Sequence, residues 1–211
     1  NKGLWSDSGL FTLSYVEGVS YNLNSGLIEP VGTPENQNVS GLTSTFSRGG
    51  EWGTGQASDA NETNMSLVRE NIGADSVNVD GTGVTVGIID TGLNYDSSLY
   101  GDRVVNGKNF ITGATINKSA GNYSAIEDGN GHGSWVASAV ASNGSSEYRG
   151  VAPNASLVIA KALTDGGGGE TADIVQAVSW TCERSDIVSM SLGSPIYSEA
   201  LDEAVTNCVE N

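Results

Sequence analysis

The chain has 211 residues, of which 25 are acidic and 9 basic, giving a formal net charge of −16 at pH 7. That balance argues against nucleic acid or anionic membrane as a partner, since both need clustered Lys and Arg. A hydrophobic content of 37% argues against a disordered acidic chain, and no apolar run approaches the ~20 residues needed to span a bilayer. The length suits one good-sized domain with a substantial core. Its acidity reads as the solvated surface of a protein working in high salt, where self-repulsion is screened.

Residues 1–63 are expected to be an amino-terminal extension or a propeptide remnant. Leu10 to Val16 and Val19 to Tyr21 have β-type composition, broken by Gly18 and by Asn22 to Gly26, which suggests a hairpin followed by a loop or linker. From Asn64 a short helix is predicted, capped by Asn64 or Ser66, with Met65, Leu67, Val68 and Ile72 as its apolar positions. Val84 to Asp90 is a continuous apolar run flanked by glycines, the pattern of a strand buried on both faces of a parallel sheet. It ends on Asp90, followed by the turn-forming Thr91-Gly92. Ligands and catalytic groups gather at the carboxyl ends of such strands, although Asp90 by itself reads equally well as a solvated acid. Gly81, Gly83 and Gly87 are not a dinucleotide fingerprint, because that motif places its glycines after the strand.

Leu93 to Asp128 mixes short β-like pieces, Val104-Val105 and Asn109-Phe110-Ile111, with polar loops. His132, the only histidine, sits among glycines, just before Trp135, Val136, Ala139 and Val140 at helical spacing. A lone histidine is more often structural. Glycines on both sides suggest close approach by a ligand, and a carboxylate such as Asp90 would fix its tautomer. The helix from about Gly133 to Ala141 should stop in a left-handed turn at Ser142-Asn143-Gly144. Leu157 to Ala160 is a second buried strand. A glycine loop, Gly166 to Gly169, comes next, then a helix from Thr171 to Cys182 and a third strand, Ile187 to Leu192. From Ser198 the residues Leu201, Ala204, Val205 and Cys208 recur at helical spacing. Alternating strands and helices predict a doubly wound, mostly parallel α/β sheet. Cys182 and Cys208 are the only cysteines. A right-handed crossover puts the two helices side by side, which predicts a disulfide closing a loop of about 25 residues, with two buried free thiols as the alternative. Sites of the form Asn-X-Ser/Thr at Asn38, Asn61, Asn64, Asn117, Asn122, Asn143 and Asn154 give weak support for export.

Four blocks, GVTVGIIDTG at 83–92, DGNGHGSWVA at 128–137, GVAPNASL at 150–157 and IVSMSLGS at 187–194, resemble the subtilisin-like serine peptidases (subtilases). They occur in that family's order, and Asp90 before His132 agrees with its triad order of Asp, His, Ser. The resemblance places residues 64–211 in the amino-terminal part of a peptidase domain. It implies peptide-bond hydrolysis, with Asp90 and His132 as two triad members and extended polypeptides as substrates. It also implies a role for Ser191, Leu192 and Gly193, which with Gly167 and Gly169 would sandwich the peptide as a strand. Leu163 would wall the site beside His132, and Thr171 and Ile174 would line a pocket farther along. No Gly-Thr-Ser-Met-Ala-type block occurs, so the nucleophile is expected beyond Asn211 and the fragment alone is expected to be inactive. Ser134 stands at a position that is not the nucleophile. No cofactor is required; the resemblance allows structural calcium with no ligands assigned, and the protein's own propeptide as a partner. An extracellular or cell-surface location follows. The alternatives are a non-catalytic subtilase-like binding or chaperone module, and an unrelated α/β hydrolase using Asp90 as nucleophile, which the glycine-embedded His132 disfavours. The family's His-Pro pair after the aspartate is replaced by Asn94-Tyr95-Asp96-Ser97-Ser98, which affects loop packing rather than catalysis.

Overall fold

The computed structural model describes residues 11–12, 65–194 and 197–210. In chain order its strands are β1 (Phe11–Thr12), β2 (Thr85–Asp90), β3 (Val104–Asn109), β4 (Ser156–Lys161) and β5 (Ile187–Met190). The helices are α1 (Met65–Asn71), α2 (Ser97–Tyr100), α3 (His132–Ala141), α4 (Thr171–Cys182) and α5 (Glu199–Glu210). The strands form one sheet in the order β1-β5-β2-β4-β3. Every neighbouring pair is parallel.

The apolar runs explain this arrangement. Successive side chains of a strand point to opposite faces, and on β2 both faces are apolar. Val86 and Ile88 join Leu157, Ile159, Val136 and Ala137 beneath α3. Ile89 joins Ala160, Ile174, Ala177, Val178 and Val205 beneath α4 and α5. The sheet is therefore covered on both sides, the doubly wound α/β architecture expected from the alternating pattern. Each fully buried Ile or Leu here contributes roughly 1.5–3 kcal/mol.

Several boundaries differ from the sequence reading, each for a packing reason. The second buried strand runs one residue past Ala160 to include Lys161, whose charge finds partners outside its strand. The third stops at Met190 rather than Leu192, because β2, its neighbour, ends one residue after the Ile89–Met190 pair. Val104-Val105 and Asn109 belong to a single strand with a register shift between Val104 and Asn106. Pairing with β4 overrides the poor strand propensity of Asn106-Gly107. Helix α3 ends in extended Ser142 rather than in a left-handed turn. Its terminal carbonyls are instead satisfied by Gly150, Val151 and Ala152, whose N–H groups donate to Ser142, Ala139 and Val140.

Helix α1 forms over Met65–Asn71, ending one residue before the predicted apolar position Ile72. Leu67 and Ile72 are exposed, and the buried residue is Arg69. The Arg69 guanidinium donates to the carbonyls of Arg149 and Ser146 and to the Asp75 carboxylate. Of the strand-like run Leu10 to Val16, Phe11–Thr12 adds an edge strand beside β5. The rest of residues 1–63, including the expected hairpin and linker, lies outside the described residues, as does the proposed cap Asn64. Cys182, the last residue of α4, is disulfide-bonded to Cys208 in α5, with Cα atoms 5.6 Å apart.

Candidate active site

The alternation that buries Val86 and Ile88 under α3 also turns Asp90 toward that helix at the carboxyl end of β2. Helix α3 begins at His132. Asp90 Oδ1 lies 2.7 Å from His132 Nδ1. Asp90 is only 1% exposed, and the histidine side chain 16%. The Thr91 N–H donates to the same carboxylate oxygen at 2.7 Å, while Oδ2 is buried without a hydrogen bond among the described residues. A carboxylate acceptor assigns the proton to Nδ1 and leaves Nε2 as the basic nitrogen. The bond to Asp90 raises the imidazole pKa above its ordinary 6.5, burial opposes the rise, and the charges of Asp90 and Asp128 add to it.

Asp128 organises the entry to α3. Its Oδ1 accepts from the N–H groups of Asn130 and Gly131 at 3.1 and 2.9 Å. Its Oδ2 accepts from the Ser134 N–H and hydroxyl at 2.8 and 2.7 Å. Burial pushes the Asp128 carboxyl up, but the bonds from Gly131 and Ser134 outweigh it and hold it below the usual carboxylate range. A negative charge at a helix N-terminus also complements the helix dipole. The Ser134 hydroxyl is thus taken up by Asp128, whose carboxylate holds the first turn of the helix.

The turn after β2 fits directly against this helix. The Gly133 N–H donates to Thr91 Oγ1 at 2.9 Å. A Cβ on Gly133 would lie 2.3 Å from the Gly92 carbonyl oxygen, so only glycine allows the approach. Asn94 holds the two loops together. Its Nδ2 donates to the Asp128 carbonyl at 3.0 Å, its Oδ1 accepts from the Asp128 N–H at 3.2 Å, and its own N–H donates to Ser134 Oγ at 2.8 Å. The segment that departs from the family's His-Pro pair is therefore well packed, and Asp96 caps the short α2 through the Ser98 N–H.

The residues expected to bind peptide leave the same edge of the sheet on either side of Asp90. Leu163, Gly167 and Gly169 follow β4, and Ser191, Leu192 and Gly193 follow β5; both strands flank β2. Leu163 is buried at 7% exposure, and Ile174 at 9% lies in the same core cluster. Thr171 opens α4 and is exposed. The glycine loop is a defined turn: Thr164 N–H and Oγ1 both donate to the Gly168 carbonyl, and Gly167 takes a φ of 85°. Among the described residues no three His, Cys, Asp or Glu side chains converge as a metal site.

Sequence reasoning missed Asp128, Asn94, Lys161 and Asp165. A signal existed for two of them. Asp128 stands just before a helix start, where carboxylates cap, and Lys161 is a lone cation closing an apolar strand. Asn94 and Asp165 carry no sequence signal, because their partners are distant in the chain.

Comparison with known proteins extends beyond this geometry. The profile of the Subtilase family matches residues 81–210. The major intracellular serine protease of Bacillus subtilis (strain 168) is 38% identical over 136 residues, covering 63% of this chain and 41% of that protein. Subtilisin DY of Bacillus licheniformis is 40% identical over 128 residues, covering 59% and 42% respectively. Alkaline serine exoprotease A of Vibrio alginolyticus is 36% identical over 166 residues, covering 74% and 28%. The crystal structure of a cold adapted subtilisin-like serine proteinase superposes with a TM-score of 0.52 at 35% identity, over 64% of this chain and 45% of that one. The chain thus spans less than half the length of these curated relatives.

Proposed function

The chain belongs to the subtilase family, and from that membership we propose that the protein carrying it is a serine endopeptidase using an Asp–His–Ser triad. The single observation behind this reading is the buried 2.7 Å bond between Asp90 Oδ1 and His132 Nδ1. His132 Nε2 takes the proton from a serine hydroxyl lying outside these 211 residues, and later returns it to the leaving amine. Asp90 keeps Nδ1–H in place and stabilises the imidazolium that forms.

Substrate is an extended polypeptide laid between the glycine loop and Ser191-Leu192-Gly193, where main-chain hydrogen bonds give affinity. Leu163, Thr171 and Ile174 shape the side-chain pockets. The Cys182–Cys208 disulfide favours an oxidising, extracellular or cell-surface setting, since disulfides rarely persist in reducing cytosol. Acidic composition favours work at high salt.

The test is active-site labelling of the protein that carries the downstream serine. A serine-directed fluorophosphonate should label one residue beyond Asn211, and His132→Ala should abolish that labelling. Asp90→Asn should lower turnover by roughly 10⁴, the size of the effect in another triad enzyme. Full turnover in His132→Ala would overturn the assignment.

A further inference from the structure

Beside the Asp90–His132 pair, three loops meet at one lysine and one carboxylate. Lys161 is the register partner of Asp90 across β2 and β4, and is 7% exposed. Its Nζ donates to the Thr91 carbonyl, immediately after the triad aspartate. It also donates to Asp165 Oδ1 at 2.7 Å. That oxygen accepts the Gly129 N–H at 3.2 Å, and the Asp165 carbonyl accepts from Asn130 Nδ2 at 2.9 Å. Gly129 and Asn130 lie in the loop that delivers His132. Asp165 itself sits within the glycine turn that closes from Thr164 to Gly168.

The absence of a side chain at Gly129 lets the carboxylate lie close against that loop. A Cβ on Gly129 would stand 2.4 Å from Asp165 Oδ2. Burying an ammonium is costly unless it is paired and hydrogen-bonded, and each acceptor named here belongs to a loop adjoining the site. The bond from Lys161 and its charge, with a contribution from the Gly129 N–H, hold the Asp165 carboxyl below the usual range against the opposing effects of burial and of the Asp128 charge.

We infer that Lys161 and Asp165 are positioning residues, which fix the His132 loop against Asp90 and tie it to the peptide-binding glycine loop. The catalytic significance rests on the reading of His132 as the base; the positioning itself does not. Lys161 anchors the Asp90 turn and Asp165 at once, and Asp165 passes that restraint to Gly129 and Asn130. Neither side chain touches the reacting atoms.

His132 is the only histidine, so isotope-labelled histidine in the 211-residue chain gives a single set of imidazole resonances. Two quantities are read: the His132 pKa and the rate at which its Nδ1–H exchanges with solvent. Asp165→Asn removes the charge but keeps an oxygen for Gly129 and Lys161. Asp165→Ala removes both. With positioning, the alanine variant has a lower His132 pKa than the asparagine variant, and its Nδ1–H exchanges about fivefold faster, the factor set by one ordinary hydrogen bond. The asparagine variant exchanges at the parent rate. Lys161→Met separates the causes by sign: losing a nearby cation would by itself raise the His132 pKa, whereas losing the clamp lowers it. Identical asparagine and alanine variants, or a raised pKa with unchanged exchange in Lys161→Met, would overturn the inference. Asp165 has a side chain 64% exposed, so its variants keep the test decisive if the buried lysine proves necessary for folding. No turnover is needed. If fluorophosphonate labelling fails, the peptidase reading falls while the positioning result stands.

Discussion

Gly133→Ala sets two effects of known sign against each other at the Asp90–His132 pair. In an open helical position alanine is favoured over glycine by ~1 kcal/mol. Gly133 is not open. An added Cβ would lie 2.3 Å from the Gly92 oxygen, 2.9 Å from the Gly92 nitrogen and 3.2 Å from Asp90 Cβ. All three atoms belong to the turn that carries Asp90, and none is the end of a flexible side chain. Reaching ordinary contact, which begins at 3.4 Å, requires α3 to retreat from β2 by about 1 Å. Such overpacking costs ~1–3 kcal/mol, and more where backbone must move. Because the two nearest atoms met are backbone, the cost lies toward the upper end of that range and outweighs the propensity gain, leaving a net loss of up to ~2 kcal/mol. His132 is the preceding residue, so the same retreat stretches its 2.7 Å bond to Asp90. Urea unfolding of the two chains measures the first consequence as a lower midpoint at unchanged slope. Histidine NMR measures the second as a fall of the His132 pKa toward the ordinary 6.5. Under the proposed peptidase reading, a 1 Å misplacement of His132 should cost ~10² in rate. A midpoint equal to or above the parent's would refute the reasoning, since it would mean that helix propensity wins and the contact yields.

Three further outcomes follow from the same structure. Cys182 and Cys208 are 26 residues apart in sequence; replacing both by serine should cost ~3 kcal/mol, read as a drop in melting temperature, and an unchanged temperature would mean that the link constrains nothing. The pKa of His132 is higher in the folded chain than its ordinary 6.5, first through the Asp90 bond. Its stabilising contribution is thus full below pH 6.5 and lost as pH rises through the folded value; the stability gap between the parent and His132→Gln should shrink on raising pH, and a widening gap would contradict the sign. With a net charge of −16, the melting temperature should climb from low to molar salt, as screening lengths fall from about 10 Å at 0.1 M to about 3 Å at 1 M. A flat profile would leave the acidity as a matter of solubility alone.

The local code was strong where one residue type had one physical use. Apolar runs such as Val84 to Ile89 can be buried only as central strands, and glycine-embedded His132 with strand-ending Asp90 pointed to a site before any contact was known. The extent of α4 and the pairing of the two cysteines followed from periodicity and crossover handedness. Tertiary structure decided everything that needed a partner far along the chain. Helix α1 is held by Arg69 reaching the carbonyls of Ser146 and Arg149, which no helical periodicity could reveal. Helix α3 needs no left-handed cap, because Gly150 to Ala152 arrive to satisfy its carbonyls. Strand β5 stops where its neighbour turns away, although its own residues could continue. Asp128, Asn94, Lys161 and Asp165 look like ordinary polar residues of loops and strand ends. They become the frame of the Asp90–His132 pair only once the parallel sheet brings the ends of β2 and β4 and the start of α3 to one edge. A hydrogen bond depends on distance and angle in space, and the sequence records only order along the chain.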